Sequence, residues 1–278
     1  MKKKITALCL CVALLAVAVV GASLAYFTDN DQADNTFTAG SVKIKLIEEQ
    51  SNEDHTGFVP YEGNKVLMPI VGSAQGEKYP NGQPAAKNYI DKVVTIKNNG
   101  NSAAWIRAYY AVPSALDDGF GESFNAGMNI LHGNFGNNGD KTTYENEWKW
   151  KNNGKWQYFE TTMDGVSYNV YFADYYQPLA AGETTEQFIC GVYLDKNVDM
   201  KDGKYIDPRH PDADLSILEG TVHYPVFAVA VQADGFDSAA AAMDAAFGAN
   251  YNPWGTPATN WQEFLNITGQ RSFGSADQ

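Results

Sequence analysis

The sequence predicts an all-β protein, a jelly-roll-like antiparallel β-sandwich with small helical insertions. Runs of β-branched and aromatic residues with period-two alternation recur along the chain, separated by turns rich in Asn and Gly. Aromatic residues make up 13% of the 278 residues, a supply suited to broad sheet faces. Helical patterns are few and short.

The opening of the chain is a material apart. Lys2, Lys3 and Lys4 precede an uncharged apolar run from Ile5 to Ala25 that closes on the small residues Gly21, Ala22, Ser23 and Ala25. A cationic region, an apolar region and small residues, in that order, are the layout of a secretory signal. Ser23 and Ala25 meet the small-x-small requirement of a signal peptidase, so cleavage is expected after Ala25, with Tyr26 as the first mature residue. The run is also just long enough to span a bilayer, the alternative being an uncleaved anchor. In either case the lysines stay inside and the bulk is exported. Cys9 and Cys11 lack the setting of a lipoprotein signal and read as apolar filler. Residues 26–278 are then expected to form a single β-sandwich domain, with a flexible N-terminal segment and insertions near 50–88 and 117–165.

The strands follow in order. Over 37–48, Val42, Ile44 and Leu46 alternate with Lys43 and Lys45, the pattern of a half-buried strand. Residues 50–89 are rich in Gly, Pro, Asn and Ser and read as a long loop with an edge strand over 66–71. Two β-rich runs, 89–97 and 103–112, flank Asn98, Asn99, Gly100 and Asn101 and predict a hairpin. A second hairpin is predicted where Asn152, Asn153 and Gly154 join 147–151 to 155–162. Runs over 166–176, 184–194 and 220–233 complete roughly seven to nine strands at the spacing of a sandwich or jelly roll. Helices are expected over 122–131, over 238–247 with Asp237 or Ser238 as cap and Gly248 as stop, and over 261–267.

Charge and cysteine content narrow the function. Twenty Lys+Arg against 33 Asp+Glu give a net charge of −13, and loss of Lys2–Lys4 with the leader deepens it. So acidic a chain does not grip nucleic acid by neutralising phosphates, and it lacks a basic face for an anionic membrane. An apolar content of 44% is too high for a disordered chain. Cys190 is the one cysteine outside the leader and makes no internal disulfide. It shares a predicted strand face with Phe188, Val192 and Leu194, which places its thiol in the core.

The segment after the leader carries a resemblance. Ala25, Tyr26, Phe27, Thr28 and Asp29, followed by Phe37, Gly40 and Val42 in a Phe-x-x-Gly-x-Val strand, resemble the start of the TasA/camelysin family of exported proteins from Gram-positive bacteria, which are processed by a SipW-type signal peptidase. Residues 93–100 and 104–108, with Arg107, look like the family's Asn-x-Gly hairpin and Arg-bearing strand. Residues 179–185 and 229–234 are similar to its later strands. The resemblance implies a jelly-roll domain secreted to the cell surface or the biofilm matrix, without a stable membrane anchor after cleavage. It further implies a subunit of fibres in which an N-terminal strand inserts into the sheet of the next copy, with Phe37, Gly40, Val42, Ile44 and Leu46 as the assembly strand. An extended segment adding to an exposed edge gains ladder hydrogen bonds and pockets for alternate side chains. The simpler reading makes 37–47 the first strand of its own domain.

Candidate chemistry is sparse. Some camelysin-like proteins are described as metalloproteases, but His55, His132, His210 and His223 form no His-Glu-x-x-His and no i, i+4 pair, so neither catalysis nor a zinc cofactor is expected. Asp195, Asn197, Asp199 and Asp202 set oxygen donors at loop spacing. Met200 and Ile206 stand where an EF-hand needs Gly and Glu, which leaves an irregular calcium loop as the metal candidate. Trp148, Trp150, Trp156 and Tyr158 form a candidate glycan or peptide platform for a monomeric adhesin, against the simpler reading of cross-strand aromatic packing.

Overall fold

The computed structural model describes residues 41–63, 65–117, 129–135, 147–150, 159–249 and 251–254, with the backbone alone at 150 and 159. The expected helix over 261–267 lies outside the described residues. Two five-stranded antiparallel sheets enclose the main core. The first runs in the order β2 (Phe58–Pro60), β1 (Ile44–Ser51), β3 (Ile90–Asn98), β9 (Ile189–Leu194) and β5 (Leu131–Phe135). The second runs β12 (Val226–Gln232), β4 (Ala104–Pro113), β8 (Val166–Tyr175) and β6 (Trp148–Trp150), with β7 (Phe159–Met163) also on β8. A ribbon of β10 (Asp199–Lys201) and β11 (Lys204–Ile206), 3₁₀ turns at Ser114–Leu116 and Ser216–Glu219, and helix α1 (Ala239–Phe247) complete the described elements. The fold is the all-β sandwich that the alternation predicts.

β4 lies at the centre, and all ten of its residues are buried. Ala104, Ile106, Ala108, Tyr110 and Val112 point into the core between the sheets. Trp105, Tyr109 and Ala111 point into a second cluster, built with Ala239, Ala242 and Met243 of α1 and with Trp254. The second sheet is therefore covered on both faces. A stacked row of rings, Tyr171 on Tyr110 at 5.1 Å and Tyr110 on Tyr224 at 5.5 Å, fills the space between the sheets. Each large side chain of this kind stabilises by about 1.5–3 kcal/mol relative to exposure.

Arg107 projects from β4 into the outer cluster. Its Nε and a terminal nitrogen donate to the two Asp174 carboxylate oxygens at 2.5 and 2.9 Å, a fork across the β4–β8 ladder. Its guanidinium lies 4.6 Å from the Phe172 ring centre. The pair lets a cation occupy a two-sided apolar strand because every charge has a fixed partner.

α1 forms as its sequence requires. The Ser238 hydroxyl accepts from the Ala241 amide at 3.2 Å, capping the first turn. Gly248 closes the helix at φ +88°, a conformation that favours glycine. Ala239, Ala242 and Met243 form the buried stripe. β1 also follows its pattern: Val42, Ile44 and Leu46 pack toward the core while Lys43 and Lys45 are exposed.

Four expectations are corrected. Asn98 to Asn101 do not close a hairpin, because β3 belongs to the first sheet and β4 to the second. Buried Asn98 ties this crossing, its side-chain amide donating to the Ser102 and Leu179 carbonyls while its oxygen accepts from the Gly100 amide. β6 and β7 do not pair with each other. They lie in succession along one edge of β8, Trp150 opposite Ala173 and Phe159 opposite Val170. β7 and β8 make the hairpin instead, turned by Asp164 and Gly165 with φ of 51° and 77°, the two-residue turn whose twist matches paired strands. Residues 66–71 make only isolated bridges, Pro69 to Leu194 and Val71 to Lys87. At the end of the helix expected over 122–131, Leu131 opens β5 instead; residues 122–128 lie outside the described residues.

The Cys190 thiol is also displaced from the core. The β9 register shifts between Gly191 and Ile189 against both β3 and β5, a bulge that leaves Cys190 between paired positions. Ile189 and Val192 take the buried places, and the half-buried thiol donates to Gln187 Oε1 at 3.0 Å.

Arg107→Ala, which strands the Asp174 charge, is expected to lower unfolding free energy by about 3–5 kcal/mol in urea titration, and a double change of Arg107→Met with Asp174→Leu to recover most of the loss. A single variant as stable as the parent would refute the central role of this pair.

Candidate functional site

The edges of the sandwich are the first candidate. Ser23, Ala25, Tyr26, Phe37 and Gly40 lie outside the described residues. Val42 precedes β1, and Ile44 and Leu46 lie within it, opposite Asn98 and Ile96 of β3. These two positions are thus paired inside the chain's own first sheet, as the simpler reading of the segment has it. On the side away from β3, β2 pairs only with Glu49, Gln50 and Ser51. β12 pairs with β4 alone among the described residues, and its outer ladder edge faces away from the sheet. The amides of Ala111 and Ala233 bond to the Pro225 and Ala103 carbonyls, so the odd-numbered positions of this segment face β4. By antiparallel alternation the amides of Ala228 and Ala230 point outward.

The acidic loop is organised by donors from the chain. Asp195 accepts from His132 Nε2 at 3.0 Å, from the Asn197 amide at 2.8 Å and side chain at 2.7 Å, and from Arg209 at 3.0 Å. Arg209 also forks onto buried Asp207, with a shortest contact of 2.6 Å. Burial alone would raise the Asp195 carboxyl; the His132 bond, the Asn197 donors and the Arg209 charge outweigh it and hold the group well below the usual carboxylate range. The Arg209 hydrogen bonds lower Asp207 likewise. Asp199 heads β10 and accepts from the Met200 amide. Asp202 and Gly203, at φ 52° and 78°, turn the β10–β11 hairpin. Asp195, Asn197, Asp199 and Asp202 thus stand just past a strand end, in a turn, at a strand start and at a hairpin tip, with Asp195 bonded to N–H donors. Among the described residues no three His, Cys, Asp or Glu side chains are grouped to hold a metal ion.

The histidines serve separate places. His132 stacks on Tyr193 at 4.8 Å beside Asp195, and His55 stacks on Tyr79 at 3.7 Å. Burial lowers the His223 imidazole.

The aromatic platform is corrected at Trp148. It is 5% exposed, packs on Tyr175 and Phe188 at 5.1 and 4.9 Å, and donates its indole N–H to the Glu186 carbonyl. It is a core residue, held by the cross-strand packing that was the simpler expectation. Trp156 and Tyr158 lie outside the described residues, and only the backbone of Trp150 is described, as the last position of β6.

A polar cleft of about 440 Å³ goes unread in the sequence. Ser114, Asp117, Glu160, Thr162, Ser167 and Asn169 line it. The Ser114 hydroxyl donates to Asn169 Oδ1 at 3.0 Å. Asn169 Nδ2 donates to Asp117 Oδ2 at 2.8 Å, and the Tyr171 hydroxyl donates to the same oxygen at 2.6 Å. The signal lies in β8, whose inner face runs Tyr175, Ala173, Tyr171 and then turns polar at Asn169 and Ser167. Comparison of the chain with protein-family models, curated proteins and solved structures gave no match.

Asp195 has a depressed carboxyl in the folded state, so its stabilisation is complete above the ordinary Asp value of about 3.9 and is lost as pH falls through that range toward the folded value. In urea unfolding from pH 7 to pH 2, Asp195→Asn is expected to start less stable and to decline less steeply below about pH 4 than the parent. Parallel declines would show that the His132–Asp195–Arg209 cluster contributes nothing to acid sensitivity.

Proposed function

We propose that this chain is a secreted structural protein of the cell surface or biofilm matrix, released by a SipW-type signal peptidase, that assembles into fibres by N-terminal strand exchange. The observation that supports this reading is the outer ladder edge of β12, seven residues long, which pairs with β4 on one side only among the described residues. Its outward amides and carbonyls are a template for one more strand. The donor is the segment ahead of β1, including Phe37 and Gly40, because Ile44 and Leu46 already hold places in the first sheet. A donor at one end of the chain and a receiving edge elsewhere make a head-to-tail contact, which propagates instead of closing. The resemblance of residues 25–42 to the TasA/camelysin family points the same way.

Electron microscopy of the chain lacking residues 1–25 is expected to show filaments that grow as salt rises or as pH falls toward the carboxylate range, since both weaken like-charge repulsion. Removal of residues 26–41 is expected to abolish them. Ala230→Pro, which removes one outward amide from β12 and leaves the β4 ladder intact, is expected to do the same in a chain that melts like the parent. Monomers under all these conditions, or filaments indifferent to both changes, would overturn the reading.

A further inference from the structure

We propose that the polar cleft beneath the 3₁₀ turn Ser114–Leu116 binds a pyranose unit of a neutral or amine-bearing polysaccharide. The β7–β8 hairpin builds its floor. Glu160 stands opposite Asn169, and Thr162 opposite Ser167, so these four side chains share the inner face of the sheet. The same face is apolar at Tyr171, Ala173 and Tyr175, where it packs against the first sheet. Where that cover ends, the strands carry hydroxyls, an amide and a carboxylate. Ser114 and Asp117 stand beside the hairpin and, with it, line an open cleft of about 440 Å³. That lies within the roughly 300–1,000 Å³ of small-molecule sites.

The lining selects the ligand. Typical small-molecule pockets are mostly apolar with a few polar anchors. This one presents hydroxyl groups at Ser114, Thr162 and Ser167 and carboxylates at Asp117 and Glu160. A hydroxyl both donates and accepts, and a carboxylate only accepts, so the set matches a ligand dense in O–H groups. Among the described residues that line the cleft none is Lys, Arg or His, while two are acids. An anionic sugar is therefore repelled and an ammonium on the ring is attracted. Asp117 is 6% exposed and is oriented by Asn169 and Tyr171, so one wall of the cleft is fixed before any ligand arrives. Glu160, Thr162 and Ser167 are exposed on the open side, where a chain of further sugar units can pass.

This proposal is independent of assembly, because the cleft lies on β7 and β8 and not on the β12 edge. Isothermal titration of the full folded chain with tetramers of glucosamine, glucose and galacturonic acid, and with calcium chloride, tests it. The glucosamine tetramer is expected to bind most tightly, the glucose tetramer more weakly and the galacturonic acid tetramer not at all. Thr162→Val with Ser167→Val, at exposed positions that leave the melting curve unchanged, is expected to weaken the glucosamine tetramer about tenfold through two lost hydrogen bonds. Glu160→Gln is expected to erase the preference for glucosamine over glucose. Failure of both sugars to bind at millimolar concentration, affinity unmoved by the variants, equal binding of the uronate, or a calcium site lost in Asp117→Asn without sugar binding would each overturn it.

Discussion

A strand buried along its whole length has no solvent side on which to place polar residues, and β4 imposes that condition on the rest of this fold. Its inward residues require the first sheet as a lid; its outward residues require α1 and Trp254. The alanine-rich helix is therefore more than an appendage to a sandwich. It covers a second apolar layer that water would otherwise reach, and its small side chains let it approach β4 closely. Arg107, a buried cation in this layer, is tolerated through its fork to Asp174 on the neighbouring strand.

Polar networks mark the places where this core stops. Asn98 binds the crossing between the sheets to the Leu179 carbonyl. Asp195 gathers His132, Asn197 and Arg209 at the end of β9. Asp117 does the same for Asn169 and Tyr171 at the end of the inner face of β8. Each buried acceptor is met by several donors, as desolvated oxygen requires. The Asn98 network closes on backbone groups, and the Asp195 network closes with charge balance from Arg209 and a ring nitrogen of His132. The Asp117 network instead faces a lined volume, which sets it apart from the other two.

Local signals were legible where the outcome is local. The alternation of Val42, Ile44 and Leu46 with lysines gave the facing of β1, and Ser238 with Gly248 bounded α1 to within a residue. Partner choice was not legible in the same way. An Asn-Gly step states that the chain bends, and the same residues serve a hairpin or a passage between sheets. Two-residue turns with Asp-Gly proved the better guide: Asp164–Gly165 and Asp202–Gly203 both close hairpins. A strict period of two does not locate Cys190, because against β5 it is the extra residue of a bulge that changes the phase of the strand. The cleft escaped notice because its residues come from three separate stretches of chain. Each of those stretches is unremarkable alone.

The succession of β6 and β7 along β8 also bears on the edge that they form. Trp150 and Phe159 stand opposite Ala173 and Val170, so eight positions separate the two residues in sequence where two separate their partners on β8. Among the described residues, that side of the second sheet is paired in pieces of three and five residues, whereas β12 on the other side runs for seven without a break. Long, uninterrupted edges are the ones that recruit a foreign strand. An unequal count of residues on the two sides of this interval interrupts the register along one border of the sheet, whereas among the described residues the opposite border offers a continuous rail.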